Sequence, residues 1–248
     1  MLYIKKYSGF IISIVIGLLL YEEANYAYTY RTATAYSDHM IYRLILSMGS
    51  GSSGWNGILF PILAVLPMGI SYVREYRSGY LKLRLQKMSR KRYVAVTLIQ
   101  NAILGGLGLL IPYAVYCLHL YFQYGTKAYL NIKEGETVIM FYPKLAASNT
   151  IAYVCLLGAF VLLAGVTFAT FAIGISAWIK NTFLTLILPF VLCIAMAILM
   201  PDNRFDLLLI FAPNGYAWAS VPIILIMSGI LILTGIILFA VGVKNNEK

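Results

Sequence analysis

Residues able to do acid–base, nucleophilic or metal chemistry are sparse in this 248-residue chain, and they are not grouped to act together. Its two histidines, His39 and His119, are far apart in sequence, unlike an HExxH pair, whose imidazoles share one helix face and one zinc ion. His119 reads as a boundary residue rather than a ligand or base. There is no GxSxG turn to hold a serine nucleophile and no cluster of carboxylates to share a proton, so the catalytic constellations of an enzyme are missing. Cys117, Cys155 and Cys193 lack the paired spacing of a metal site or disulfide scaffold and read as small apolar packing residues. Cys117 and Cys155 fall at similar depth, which leaves a bridge between them open. No Gly-Lys-Ser or Gly-Lys-Thr occurs, so the loop that cradles nucleotide phosphates is absent. If ATP drives this protein, another chain hydrolyses it.

The residues that stand out instead form one polar stretch, Glu75 to Tyr93, dense in Arg and Lys and punctuated by Gly79 and Ser89. On a helical wheel Tyr76, Tyr80 and Leu83 make one apolar stripe, and Leu81, Leu85 and Met88 make another nearly opposite, with basic residues between. A helix that is apolar on two sides needs two covers: the membrane boundary is one, and a docked cytoplasmic protein is the other. Residues 81 to 85 also alternate like a strand, but a lone strand would leave its edges unpaired.

The elements that position this stretch follow from composition. Sixty-one per cent of the residues are hydrophobic and 11% are charged, against about 25% charged in soluble domains, so water is not the main solvent. Crossing about 30 Å of hydrocarbon takes about 20 apolar residues. That length predicts an all-α, polytopic membrane protein with one transmembrane domain over 1–248. Its six spans fall at about 8–28, 54–73, 93–123, 148–179, 182–200 and 216–243, and residues 74–92 form a cytoplasmic loop with a helix in it. The first apolar run, Gly9 to Tyr21, is short and follows Lys5 and Lys6, a pattern shared with cleaved signal peptides; Thr34-Ala35 would then lie near the cleavage point. The expectation is an uncleaved anchor.

The net charge of +10 is a matter of position rather than of nucleic-acid binding. With the amino terminus inside, thirteen of the 19 basic residues are cytoplasmic: Lys5, Lys6, Lys180, Lys244, Lys248 and the eight between Arg74 and Arg92. The outer six are Arg31, Arg43, Lys127, Lys133, Lys144 and Arg204. This asymmetry follows the positive-inside rule and predicts a cell (inner) membrane protein with both termini cytoplasmic. It also predicts affinity for anionic lipid heads.

Other features refine the layout. The first outer loop holds Tyr26, Tyr28, Tyr30, Tyr36 and Tyr42, read as an aromatic belt or a substrate-recognition surface, with Met40 to Met48 as a short surface helix and Gly49 to Gly54 as a flexible turn. Asp206 to Ala212, fenced by Pro201 and Pro213, is too short to cross and reads as a dip into the outer leaflet. Pro61, Pro67, Pro112, Pro189 and Pro222 predict kinks facing protein or a pathway. In the fourth span Gly158, Gly165, Ala169, Ala172 and Ser176 share one face, allowing close helix approach, within the bundle in preference to a dimer contact. By these boundaries no Asp, Glu, Lys or Arg lies at hydrocarbon depth, which disfavours a self-sufficient ion-coupled carrier.

Six spans, an inside amino terminus, Glu75-x-x-x-Gly79, an apolar and basic run and then Ser89-Arg90-Lys91-Arg92-Tyr93 resemble the permease subunits of ABC-2 type transporters. The likeness covers nearly the whole chain in layout and about 20 residues in motif. In that family the loop after the second span forms a coupling helix seated on the ATPase. The resemblance implies that Glu75, Tyr76, Gly79, Tyr80, Leu83 and Arg84 contact a cytoplasmic ABC ATPase. It also implies a second permease subunit, identical or related, with ATP and magnesium held on the ATPase and none here. Tyr80 replaces the threonine that often follows the glycine, Lys87 the proline two residues before Ser-Arg, and Thr97 a common lysine. The departures leave subfamily and substrate open, the peptide-export and peptide-immunity members being similar in length. Two alternatives stand beside an exporter of amphipathic compounds: a channel or carrier acting alone, and a membrane protein that sequesters a toxic peptide without transport.

Overall fold

The computed structural model describes residues 2–31, 39–50, 55–126, 141–199, 206–215 and 218–246. These residues are helical throughout, with no strand among them. In chain order the helices are α1 (Leu2–Arg31), α2 (Met40–Ile45), α3 (Trp55–Val65), α4 (Ser71–Arg77), α5 (Tyr80–Lys87), α6 (Arg90–Tyr124), α7 (Pro143–Ser148), α8 (Thr150–Ile179), α9 (Thr182–Leu199) and α10 (Val221–Asn246). Five segments are long and apolar enough to cross a membrane: Ser8–Tyr26 within α1, and α6, α8, α9 and α10. The chain is thus built as a multi-pass membrane protein.

The expected span at 54–73 is not one helix. α3 ends at Val65, the chain turns through Leu66 to Ile70, and α4 restarts at Ser71. Pro67 accounts for the break, because it has no N–H to donate and its ring crowds the preceding turn. Gly69 N instead donates to Val65 O at 2.8 Å, and Ser71 N to Met68 O at 2.8 Å.

α8 is the centre of the bundle and contacts α3, α6, α9 and α10. Glycines let the backbones meet. A methyl on Gly165 would sit 2.5 Å from Gly105 O of α6, and a methyl on Gly235 of α10 would sit 2.5 Å from Thr170 O of α8. With no hydrophobic force between helices in lipid, such close packing carries the association. Asn149 starts α8 by accepting from Ala152 N at 3.0 Å, and Asn181 starts α9 by accepting from Phe183 N at 2.9 Å, each satisfying an amide that lacks a partner in the first turn.

Two segments, one expected as a surface helix and one as a dip into the outer leaflet, pack against the core of the protein. In the stretch Met40 to Met48, Ile41, Leu44, Ile45 and Met48 are buried, and Tyr42 packs against the same core. Arg43, expected in a loop, is buried as well, donating to Asn25 Oδ1 at 2.8 Å with its guanidinium 4.7 Å from the Tyr124 ring centre. Asp206 to Ala212 packs on protein: Leu209, Ile210 and Phe211 are buried, and the Phe211 ring lies 3.9 Å from that of Phe60. Of the loop tyrosines, Tyr26 is exposed; the side chains of Tyr28, Tyr30 and Tyr36, the turn at 51–54 and the residues Thr34-Ala35 lie outside the described set. Cys117, Cys155 and Cys193 are free thiols, with Cys117 and Cys193 buried.

Candidate partner-docking face

The stretch Glu75 to Tyr93 sits at the end of the bundle where α8 and α10 finish and α6 begins. The same end receives the start of α1, since a methyl on Gly9 would collide with the backbone of Leu66 and Pro67. The positions that carry most of the basic residues are therefore gathered at one end of the molecule.

Local chemistry folds this stretch into two short helices and a sharp restart. α4 stops at Ser78, and Gly79 takes φ +73°, a left-handed conformation that costs a residue with a Cβ about 1 kcal/mol or more. A methyl there would meet nothing within 4 Å, so glycine is needed for its backbone rather than for space. α5 then runs to Lys87, Met88 is extended, and Ser89 opens α6 by accepting from Arg92 N at 3.4 Å.

A compact network ties this arm to the bundle. Arg84 on α5 pairs with Glu75 on α4, Nη1 to Oε1 at 2.5 Å. Tyr93 on α6 donates to the second carboxylate oxygen at 2.8 Å, and the Arg84 guanidinium lies 5.0 Å from the Tyr93 ring centre. One carboxylate thus pins three helices. Below it Tyr72, Leu81, Tyr93, Ile173, Ala177, Phe239 and Val243 form a small core of their own. Lys180, held at φ +52° in the α8–α9 turn, donates to Tyr76 Oη at 3.0 Å and lies 4.3 Å from its ring centre. Asn246, near the end of α10, donates to Tyr72 Oη at 3.0 Å and to Ala177 O at 2.7 Å.

Two of the residues expected to meet a partner remain open: Tyr80 is 52% exposed and Leu83 is 53% exposed, whereas Leu81 on the other face of α5 is 3% exposed. Tyr76 does not share their stripe. It belongs to α4, and the Gly79 turn separates it from α5, so it faces Lys180 instead. Glu75 and Arg84 are paired with each other and fasten the arm.

Of the small residues on α8, Gly158 lies under the Tyr113 ring, where a methyl would stand 3.0 Å from Cε1, and Gly165 meets the Gly105–Gly106 backbone. Ala169 packs at Gly105; Ala172 and Ser176 are fully buried, with Ser176 Oγ donating to Ile173 O at 2.6 Å.

Sequence reading placed Lys180 on the same side as this stretch but not its contact with Tyr76, and it missed Tyr72, Phe239 and Asn246 as parts of this end. Tyr72 and Tyr76 are four apart, and a wheel begun at Ser71 pairs them; nothing in the sequence joins Asn246 or Phe239 to them. Compared with protein-family models, curated proteins and solved structures, the chain matches none.

Proposed function

We propose that this chain is the membrane-spanning permease subunit of an ATP-driven exporter of the ABC-2 type, with α5 as the helix that seats a separate ATPase. The observation that carries the reading is an amphipathic short helix fixed by Leu81 and the Glu75–Arg84 pair, with Tyr80 and Leu83 left uncovered at the basic end. Exposed aromatic and aliphatic side chains beside a basic fringe suit a docked protein, where rings dominate interface energetics.

In this reading the broken segment α3–α4 is the sixth span, and the basic end faces the cytoplasm by the positive-inside rule. Two such subunits, identical or related, enclose the path of an amphipathic substrate. ATP and magnesium act on the companion. When the ATPase pair closes, the push on α5 passes through Glu75 to α4 and α6 together, because all three meet at that carboxylate. The permease makes no covalent change; it does work by favouring one of two conformations.

The test is purification of the full chain with its companion from native membranes, followed by ATP hydrolysis and transport in vesicles. A stoichiometric ATPase and ATP-dependent transport are expected. Tyr80→Asp with Leu83→Asp, and separately Gly79→Pro, are expected to leave insertion intact and uncouple hydrolysis from transport. Transport by the pure chain without ATP or companion would falsify the proposal.

A further inference from the structure

Between the start of α1, the Leu66–Ile70 turn, α4, α5 and α6 lies a cavity of about 1070 Å³. Its wall is graded. Arg74, Arg84 and Lys87 supply cationic groups, Gln100 supplies a neutral donor, and Pro67, Met68 and Ile70 supply apolar surface. Glu75 also lines it, but its charge is met by Arg84 and its second oxygen by Tyr93. Arg74 and Lys87 have no carboxylate partner among the described residues, so the cavity keeps an uncompensated positive charge.

Depth gives the ligand its shape. Gln100 is ten residues into α6, about 15 Å along the axis from Arg90, and Ser8 is the first residue of the candidate span in α1. The cavity therefore runs from the charged boundary to the level where headgroups give way to acyl chains. A phosphate that meets two cations, an ester carbonyl that accepts from Gln100, and methylenes against Pro67, Met68 and Ile70 describe one class of molecule.

We propose that this cavity binds the headgroup and upper chains of an anionic phospholipid, its phosphate held by Arg74 and Lys87. The inference rests on the chain lying in a membrane and is independent of any ATPase companion. Basic pockets between membrane helices are suited to such headgroups, and a lipid here would brace α5 against α1 and α6.

The test uses the purified full chain in a neutral detergent, titrated with dioctanoyl phosphatidylglycerol, dioctanoyl phosphatidylcholine or glycerol 3-phosphate, with occupancy read by native mass spectrometry. One phosphatidylglycerol per chain is expected, bound about tenfold tighter than phosphatidylcholine, since two basic groups act on its charge. Arg74→Gln with Lys87→Gln is expected to bring the preference to about twofold or less. Lys91→Gln with Arg92→Gln removes the same charge outside the cavity and is expected to keep it. If the first double variant fails to fold, Lys87→Glu, at an exposed position, is expected to lower the preference alone. Equal loss in both double variants, or no preference in the wild type, overturns the site. Glycerol 3-phosphate binding as tightly as phosphatidylglycerol overturns the lipid and assigns the cavity to a soluble phosphate.

Discussion

The two ends of the bundle are closed by different means. At one end ring packs on ring: Tyr21 stacks on Tyr116 with centres 4.8 Å apart, Phe60 meets Phe211 at 3.9 Å, and Phe141 meets Phe160 at 5.6 Å. The Tyr153 hydroxyl donates to Asn214 in the same region, with both residues buried. At the basic end the rings are fewer, and α5 is held by one ion pair to Glu75, the Arg84 contact with the Tyr93 ring, and the packing of Leu81 and Leu85 on the small core. Dispersion contacts spread over many atoms make the first end a stiff plug. A few directional bonds that break singly make the second an arm that can shift as a unit, and local stability follows such contact density.

The contrast depends on the shared scaffold of α8, so the largest effect comes from breaking that. Gly174 and Gly235 meet backbone to backbone where α8 crosses α10. Gly174→Leu must part the helices, and the expected cost is above about 3 kcal/mol, beyond ordinary overpacking, because backbone rather than a side chain is in the way. Size-exclusion chromatography in detergent should show loss of the monodisperse protein. Normal yield and an unchanged thermal midpoint would mean that the crossing is looser than drawn.

Untying the arm comes next. Glu75→Ala removes the partner of Arg84 and the acceptor for Tyr93, and hydrogen bonds to a charged group that is partly exposed support a cost of about 2 kcal/mol. The loss should be local. Hydrogen exchange is expected to quicken over Tyr80 to Lys87 while Leu207 to Ile210 keeps its protection. Equal acceleration at both ends would erase the distinction between plug and arm.

The converse change is smaller. Tyr153→Phe leaves the Asn214 side chain without this donor in a buried site, at about 1 kcal/mol. Because the Tyr153–Asn214 contact sits in the buried core rather than at the basic end, the effect is expected as a lowered global midpoint with the exchange of Tyr80 to Lys87 unchanged.

How far these ends were legible in the sequence follows the same physics. The long helices α6, α8, α9 and α10 were readable, since about 20 apolar residues in a row have few other uses, and the Asn149 and Ser89 starts fall within a few residues of the expected boundaries. The broken span was half visible: Pro67 marked a kink, but hydropathy runs on through it. The packing of Met40 to Met48 and Leu207 to Phe211 on protein was not legible because burial in protein and burial in lipid demand the same apolar side chains, and alternation cannot separate them. The arm was readable as an amphipathic helix from Leu81, Leu85 and Met88. Its fastening was not, because Lys180 and Asn246 reach Tyr76 and Tyr72 from distant parts of the chain.

The smallest effect on stability separates function from fold. Tyr80→Ser with Leu83→Ser trades exposed apolar area for hydroxyls on the outer face of α5 and touches neither Leu81 nor the Glu75–Arg84 pair. The midpoint is expected to move by less than about 0.5 kcal/mol equivalent, the usual range for surface changes. If these side chains serve only the isolated chain, the variant has no other phenotype. If they seat a companion, affinity for it falls by about tenfold or more, as truncating interface aromatics commonly does, and the loss is read by titrating the purified companion onto vesicles that hold either protein. A variant that is equally stable and equally well bound would leave the open face of α5 without a role in docking, and would move the search to the rest of the basic end.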